Sequence, residues 1–194
     1  MSGSSVFSFE YILYCGNLNL NKDGVDILIK SFAKISCKFP EMNLVLIGTG
    51  NPDEETILKN IISVLNIQNK VHFLGQVTRT EVPNYLKNAK VLALSRPPSM
   101  VADAGFPSKL TEYLATGKPV VVTKVGEIPD FLIDGQHAFL SKAGSVEAFS
   151  EKLDFVLDNY ELAKKVGLKG KELTSTVFNY NFQAGRIIGF INSL

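Results

Sequence analysis

Short apolar runs alternate with longer amphipathic stretches along the whole sequence, and this alternation limits the possible folds more than any other feature. Near-continuous apolar runs are typical of strands that are covered on both faces, as in a parallel sheet wrapped by helices. The predicted strands are Tyr11–Cys15, Asn43–Ile47, Lys70–Leu74, Lys90–Leu94, Pro119–Thr123 and a weaker Ala138–Leu140. The pattern predicts a doubly wound α/β fold, with a parallel sheet of about six strands and helices on both faces.

The amphipathic stretches predict the helices of this Rossmann-like domain. Val25–Cys37 places its apolar side chains on one stripe, and Glu54–Leu65 does so with Ile57, Leu58, Ile61 and Leu65. Shorter helices are predicted at Glu81–Lys87, Pro107–Ala115 and Pro129–Ile133, and a helical tail from Ser145 to about Asn192. Each helix returns the chain to the next strand.

Composition and charge narrow the class of protein. The chain of 194 residues is 45% hydrophobic, and its 20 Lys plus Arg against 19 Asp plus Glu leave a formal charge of +1. This balance argues against a protein that coats nucleic acid. No stretch approaches the roughly 20 apolar residues that span a bilayer, so we expect a cytoplasmic protein. We assign residues 1–8 to a tag or linker remnant and 9–194 to a single domain.

Metal and hydrolase motifs are not found. The two cysteines do not suggest a disulfide framework or a zinc site. His72 and His137 have no cysteine or acidic neighbour at metal spacing, so both are interpreted as structural. The sequence contains neither a Gly-x-Ser-x-Gly elbow nor a phosphate-binding loop of the Walker type. We therefore predict no metal and no cofactor.

Ligands of doubly wound sheets bind beyond the carboxyl ends of the strands. Four segments follow predicted strands: Gly16-Asn17-Leu18, Gly48-Thr49-Gly50-Asn51, Gly75-Gln76-Val77-Thr78 and the loop from Ser95 to Phe106. The Gly48-x-Gly50 pair lacks the third glycine of the dinucleotide fingerprint, so ordinary NAD binding is not predicted.

The segment from Gly105 to Pro119 is the strongest local signal. Pro107 suits the first turn of a helix, and Gly117 suits its end. The helix would present unpaired backbone N–H groups of Ser108, Lys109 and Leu110 to a diphosphate. A plain crossover helix with a proline start is the alternative.

Glu112 lies one turn into that helix, beside the predicted phosphate position. A carboxylate can accept hydrogen bonds from both hydroxyls of a sugar diol, as nucleotide-binding α/β folds do for ribose. Lys22, in the polar loop before Gly24, could reach back over the strand ends toward phosphate. Lys109 is a second lysine that could bind phosphate in this way. The alternative for each is a solvated surface charge.

Taken together, these segments resemble the carboxy-terminal, donor-binding half of a GT-B glycosyltransferase of the retaining glycosyl transferases group 1, or family 4. The likeness covers most of the chain. The matching segments are 14–18 with 22–26, 44–50, 71–75, 105–121 and 126–129.

The resemblance implies a donor site and one catalytic residue. Glu112 matches the family glutamate that holds ribose, whereas Ala104 falls where the family has its first glutamate. Asn17 occupies the position of an arginine, which leaves Lys22 as the catalytic member of a basic pair that steadies the departing diphosphate. The implied donor-binding residues are Gly16, Asn17, Gly50, Phe73, Gly75, Gly105, Phe106, Ser108, Lys109, Leu110 and Glu112.

The implied reaction is transfer of a sugar from a nucleoside-diphosphate sugar to an acceptor hydroxyl with retention, in glycan or polysaccharide biosynthesis. The implied partners are the donor and an amino-terminal acceptor domain of the same parent chain, and the isolated domain is expected to be inactive. Peripheral membrane contact of the full-length enzyme stays open. The alternatives are a catalytically decayed regulatory module, suggested by Ala104 and Asn17, and an epimerase of the same architecture.

Overall fold

The computed structural model describes residues 6–193 and contains one six-stranded sheet. The strands are β1 (Glu10–Cys15), β2 (Met42–Ile47), β3 (Val71–Gly75), β4 (Val91–Leu94), β5 (Val120–Thr123) and β6 (Phe139–Ser141). They lie in the order β3-β2-β1-β4-β5-β6, and every neighbouring pair is parallel. The predicted doubly wound parallel sheet is confirmed, and each strand begins and ends within one residue of its predicted bounds.

The apolar content of the strands explains why they were recognisable. In the two central strands Ile12, Leu13, Val91 and Leu92 are fully buried. Such strands are covered by helices on both faces, so hardly any of their residues is polar. The order of strands reverses direction between β1 and β4, which is the topological switch point of the sheet.

Ten α-helices and two short 3₁₀ helices accompany the sheet within residues 6–193. The α-helices are α1 (Leu20–Asp23), α2 (Val25–Ile35), α3 (Pro52–Val64), α4 (Val82–Asn88), α5 (Met100–Asp103), α6 (Ser108–Thr116), α7 (Ile128–Phe131), α8 (Val146–Asp158), α9 (Tyr160–Glu172) and α10 (Tyr180–Ile191). All of the predicted helices are present. The two short helices α1 and α5 were missed, because single turns carry no apolar period.

The predicted apolar stripe of α3 was wrong in part. Leu58 and Ile62 are buried, whereas Ile57 is 45% exposed and Leu65 is 38% exposed. Residues four apart lie one above the other on a helix, so the pair 58 and 62 forms the face that packs on the domain. The helix is rotated so that Ile57 faces away from the core.

The predicted helical tail is confirmed and consists of the three helices α8, α9 and α10. Helices α8 and α9 pack on the domain, but α10 contains no buried residue. Its apolar side chains Tyr180, Phe182, Ile187, Ile188, Phe190 and Ile191 are 48% to 79% exposed. Within residues 6–193, none of the helices combines the length and the hydropathy needed to cross a bilayer.

The amino-terminal boundary lies close to the first strand. Residues 1–5 of the predicted tag or linker remnant lie outside the described residues. Phe7 stacks on Phe9, with ring centroids 4.8 Å apart, and meets the edge of Tyr11. Phe7 therefore packs on the domain, and the assignment of residues 1–8 to a tag or linker remnant stays a prediction.

Candidate functional site

Two cavities open at the carboxyl edge of the sheet, on either side of Lys109. The first has a volume of about 600 Å³ and is lined by Cys15, Gly16, Arg79, Val82, Pro83, Leu86, Lys87, Lys109, Glu112, Ala115 and Thr116. The second has a volume of about 420 Å³ and is lined by Asn17, Lys22, Asp23, Arg96, Val101, Gly105, Phe106, Pro107, Ser108 and Lys109. Since Lys109 lines both, it marks the boundary between them.

Helix α6 begins at this boundary because of the residues at its ends. Pro107 is the N-cap with φ −73°, and Gly117 ends the helix in the left-handed region with φ 74°. The amide of Leu110 donates to the Pro107 carbonyl oxygen at 2.9 Å. Among the described residues no acceptor bonds the amides of Ser108 and Lys109, so two of the three predicted N–H groups are available to an anion.

Glu112 lies on the side of α6 that faces the first cavity. Its side chain makes no hydrogen bond or ion pair with residues 6–193, although many exposed glutamates of this protein do pair. The residue is exposed to solvent. A carboxylate without a partner on a cavity wall is able to accept hydrogen bonds from a diol, and the contact of Glu112 with ribose stays a prediction.

Lys109 is held by two buried partners. Its Nζ donates to Tyr14 Oη at 2.9 Å and to Asp23 Oδ1 at 2.9 Å. The Tyr14 hydroxyl in turn donates to the Asn17 carbonyl oxygen. Burial lowers the pKa of the Lys109 ammonium, and the neighbouring Asp23 carboxylate opposes that shift. The result is a fixed cation at the boundary of the two cavities.

The polar loop predicted before Gly24 contains the single helical turn α1. The Asn19 side chain accepts from the Lys22 amide at 2.7 Å, and Gly24 ends α1 with φ 63°. This single turn directs Asp23 inward, where the residue is 2% exposed. Lys22 stays exposed on the rim of the second cavity, and its ammonium has no ion-pair partner among the described residues.

Tyr113 fixes α6 to the end of β1. Its hydroxyl accepts from the Cys15 amide at 2.8 Å and donates to the Cys15 carbonyl oxygen at 3.3 Å. Because Tyr113 lies four residues after Lys109, both side chains come from the same face of α6. Desolvation raises the pKa of the Tyr113 hydroxyl, so it stays protonated. The position of the helix relative to the sheet is thereby set.

Some of the predicted site residues line the two cavities, and others do not. The lining residues are Gly16, Lys109 and Glu112 at the first cavity, and Asn17, Lys22, Gly105, Phe106, Ser108 and Lys109 at the second. The predicted residues outside both linings are Gly50, Phe73, Gly75 and Leu110. Leu110 is fully buried in the core, and the Gly50 amide donates to Glu55 Oε1 at 3.1 Å.

The residues at this edge that were not predicted as site residues include Tyr14, Asp23 and Arg96. Arg96 comes two residues after a buried strand and is itself buried, with 4% exposure. A charged residue directly after an apolar strand was the available signal, since the carboxyl ends of such strands form the ligand edge. The position of Asp23 depends on the turn of α1, which the sequence pattern did not reveal.

The thiol of Cys15 gives a test of the first cavity. Burial and the nearby Glu112 carboxylate raise its pKa to about 11, against a smaller opposite effect of Lys109. At pH 8 the thiolate fraction is then on the order of one in a thousand, so we expect alkylation of Cys15 to be about 100-fold slower than that of a free thiol.

A time course of iodoacetamide labelling, read by peptide mass spectrometry, measures this difference. Cys37 is exposed and serves as the internal reference. If Cys15 were labelled as fast as Cys37, this would contradict the burial of the Cys15 thiol at the wall of the first cavity.

Comparison with protein families identifies the chain. The family model described as glycosyl transferases group 1 matches residues 8–173, which is most of the sequence. The chain belongs to this family. An uncharacterized glycosyltransferase from Methanocaldococcus jannaschii is 30% identical over 154 residues, which cover 78% of this chain and 39% of that protein. A trehalose synthase from Pyrococcus horikoshii is 28% identical over 178 residues, which cover 88% of this chain and 41% of that protein.

Two solved structures share the fold of this chain. The carboxy-terminal domain of the group 1 protein LpcC from Francisella tularensis has a TM-score of 0.77 and 20% identity, covering 89% of this chain and 87% of that chain. Anabaena HepE in complex with UDP-glucose has a TM-score of 0.82 and 22% identity, covering 96% of this chain and 50% of that chain. This chain thus spans about two fifths of the curated relatives reported above.

Proposed function

We propose that this group 1 chain binds a nucleoside-diphosphate sugar and is the donor half of a glycosyltransferase that transfers the sugar to an acceptor hydroxyl with retention. The observation that carries the proposal is the arrangement on α6. The unpaired Glu112 carboxylate faces one cavity, while the free amides of Ser108 and Lys109 and the fixed Lys109 ammonium lie one turn away.

The two cavities suit the two ends of such a donor. The first cavity would take the nucleoside, with the ribose diol on Glu112 and the apolar side chains of Val82, Pro83 and Leu86 around it. The diphosphate would lie at Lys109 and the amino end of α6, where hydrogen bonding and the helix dipole both favour an anion. The sugar would then enter the second cavity. The HepE complex with UDP-glucose, which has the same fold, supports this class of ligand.

Stabilisation of the leaving group is the chemistry that this site can supply. As the glycosidic bond breaks, the electron pair of that bond passes to the diphosphate. The acceptor oxygen then captures the sugar, and the proton of the acceptor hydroxyl passes to the departing diphosphate. Preorganised donors around the diphosphate bind this added negative charge more strongly in the transition state than they bind the diphosphate of the intact donor, and so lower the barrier. Here those donors are the free α6 amides, the Lys109 ammonium and the exposed Lys22 ammonium.

Transfer would require a second half of the enzyme that contributes the acceptor site. The exposed apolar side chains of α10 favour a packing partner for that helix, because helices of this character are rarely left in water. We therefore expect the isolated chain to bind the donor and to transfer no sugar. We propose a role in glycan or polysaccharide biosynthesis on the strength of the family alone.

A catalytically decayed, donor-binding regulatory module is the second candidate. It is favoured by Ala104 and Asn17, which stand where family members have glutamate and arginine. This candidate would be rejected if the parent enzyme transferred sugar and if replacing both Lys22 and Lys109 with methionine abolished that transfer.

Calorimetric titration with UDP, GDP and ADP tests the proposed function. We expect saturable binding of one nucleotide, weakened at least tenfold by Glu112→Ala, which corresponds to about 1.4 kcal/mol. Glu172→Ala is the matched control, since Glu172 is an exposed helix glutamate outside both cavities. Binding that is equally strong in the Glu112 variant would contradict the ribose assignment.

A further inference from the structure

Arg96 is a buried arginine whose guanidinium lacks a charged partner. The residue is 4% exposed, and its Nε donates to the Lys22 carbonyl oxygen at 3.3 Å. Neither Nη atom donates to a protein group, and no carboxylate pairs with the guanidinium, within residues 6–193. The Thr123 hydroxyl donates to the Arg96 carbonyl oxygen at 2.7 Å and fixes the backbone here.

Arg96 is nearly excluded from bulk water, but its unpaired Nη atoms are not sealed in the protein. Charged groups in such positions are as a rule paired, because removing a charge from water is unfavourable. Arg96 lines the second cavity, so its guanidinium faces space that a ligand can fill. A guanidinium presents donors in a planar fork, which matches the two oxygens of a phosphate or a carboxylate.

The charges around the second cavity are unbalanced. Its lining contains Lys22, Arg96 and Lys109, and Asp23 is its one acidic residue. The Asp23 carboxylate is already 2.9 Å from the Lys109 ammonium. Lys22 and Arg96 therefore remain uncompensated, which favours a ligand with negative charge in this cavity.

The amino end of α6 adds to this field. The helix has nine residues and begins at Ser108, which lines the same cavity and whose amide has no protein acceptor in the described chain. Its partial positive charge favours anions at that end. Three independent features, the fork of Arg96, the excess of cations and the helix end, thus point to one kind of ligand group.

We propose that Arg96 binds an oxyanion of the donor in the second cavity. The oxyanion is either the distal phosphate or a carboxylate on the transferred sugar, as in a hexuronic acid. In the first case Arg96, at the end of β4, supplies a guanidinium. It would replace the arginine whose position, after the end of β1, is occupied by Asn17 in this chain. In the second case it selects an acidic sugar. The inference rests on the proposed function, since it assigns one end of the same donor.

Titrations of Arg96→Gln and Arg96→Lys separate the two sources of charge. The base is first chosen from UDP, GDP and ADP with the wild-type protein. The probes are then its nucleoside monophosphate, its nucleoside diphosphate, and the diphosphate sugars that carry a neutral hexose or the matching hexuronic acid. Inorganic pyrophosphate is titrated as a probe without a base. Arg186→Gln on the exposed α10 removes the same charge away from both cavities and is the matched control.

Two results would support the proposal. If Arg96→Gln weakens the diphosphate at least tenfold and the monophosphate less than twofold, the phosphate is the ligand group. If it spares the diphosphate and the neutral sugar donor but weakens the uronic acid donor at least tenfold, the carboxylate is the group. Arg96→Lys keeps the charge without the fork, so it should retain part of the affinity and also tests the proposal if the glutamine variant does not fold.

Two results would overturn it, and they differ in what they imply for the donor site. The role of Arg96 would be rejected if the wild-type protein and the Arg96 variants bound every probe with equal affinity. If Glu112→Ala nevertheless weakened nucleotide binding, the proposed function would remain intact. No binding of any nucleotide or of pyrophosphate to the wild-type protein would reject both. The Arg186→Gln control should match the wild-type protein in each titration.

Discussion

Replacing Lys109 with methionine should lower the free energy of unfolding by about 3 kcal/mol, the lower end of the effect of removing one partner of a buried ion pair, because the Lys109 side chain is 21% exposed. Methionine keeps most of the apolar stem but removes the ammonium that pairs with Asp23 at 2.9 Å. The Asp23 side chain is 3% exposed and would be left as an uncompensated buried carboxylate. The Tyr14 hydroxyl would also lose a hydrogen bond. Urea denaturation of the two proteins measures the difference.

A double variant separates the structural role of Lys109 from its role in binding. Lys109→Met with Asp23→Asn removes both charges, so most of the lost stability should return. Nucleotide affinity should stay at least tenfold weaker, because the cation between the cavities is still absent. If the single variant were as stable as the wild-type protein, the buried Asp23 carboxylate would not need the Lys109 ammonium for stability. If the double variant kept its nucleotide affinity, the Lys109 ammonium would not contact the diphosphate.

Gly48→Ala is expected to destabilise the domain by about 3 kcal/mol or more, from backbone strain and overlap together. Gly48 follows β2 with φ +122°, a conformation that side chains disfavour. A Cβ atom there would lie 1.8 Å from the Gly16 carbonyl oxygen. Because that oxygen belongs to backbone, the end of β1 would have to move. Thermal and urea unfolding of the variant test this expectation.

Gly189→Ala is the matched control for the glycine substitution. Gly189 lies in the exposed α10, and a Cβ atom there would meet nothing within 4 Å. Alanine favours a helix interior by roughly 0.5–1 kcal/mol over glycine, so this variant should be as stable as the wild-type protein or more so. Equal stability of the Gly48 and Gly189 variants would contradict the close approach of the ends of β1 and β2.

The fold could be predicted from the sequence because its strands are covered on both faces. Runs such as Leu44–Ile47 leave little room for any element other than a buried strand. The rotation of α3 could not be predicted, since Ile57 and Ile61 are as apolar as Leu58 and Ile62. Periodicity finds an apolar face but does not decide which of two adjacent apolar rows meets the core.

The candidate site was predictable where a local pattern sets it. Pro107 and Gly117 bound a helix whose start at Ser108 and carboxylate at Glu112 follow from spacing alone. The pairing of Lys109 with Asp23 joins residues 86 positions apart, and the burial of Arg96 depends on packing at the end of β4. Contacts of this kind are set by tertiary structure, so the short-range patterns of the sequence did not reveal them.

The proposed function depends on the Glu112 carboxylate holding the ribose diol of a bound nucleotide. The most direct measurement is a thermodynamic cycle, in which the wild-type protein and Glu112→Gln each bind the preferred nucleotide and its 2′,3′-dideoxy form. We expect the loss of the hydroxyls to weaken binding to the wild-type protein at least tenfold and to the variant by less than threefold, a coupling that shows direct contact. An equal loss in both proteins would show that the ribose is bound elsewhere and would contradict the assignment.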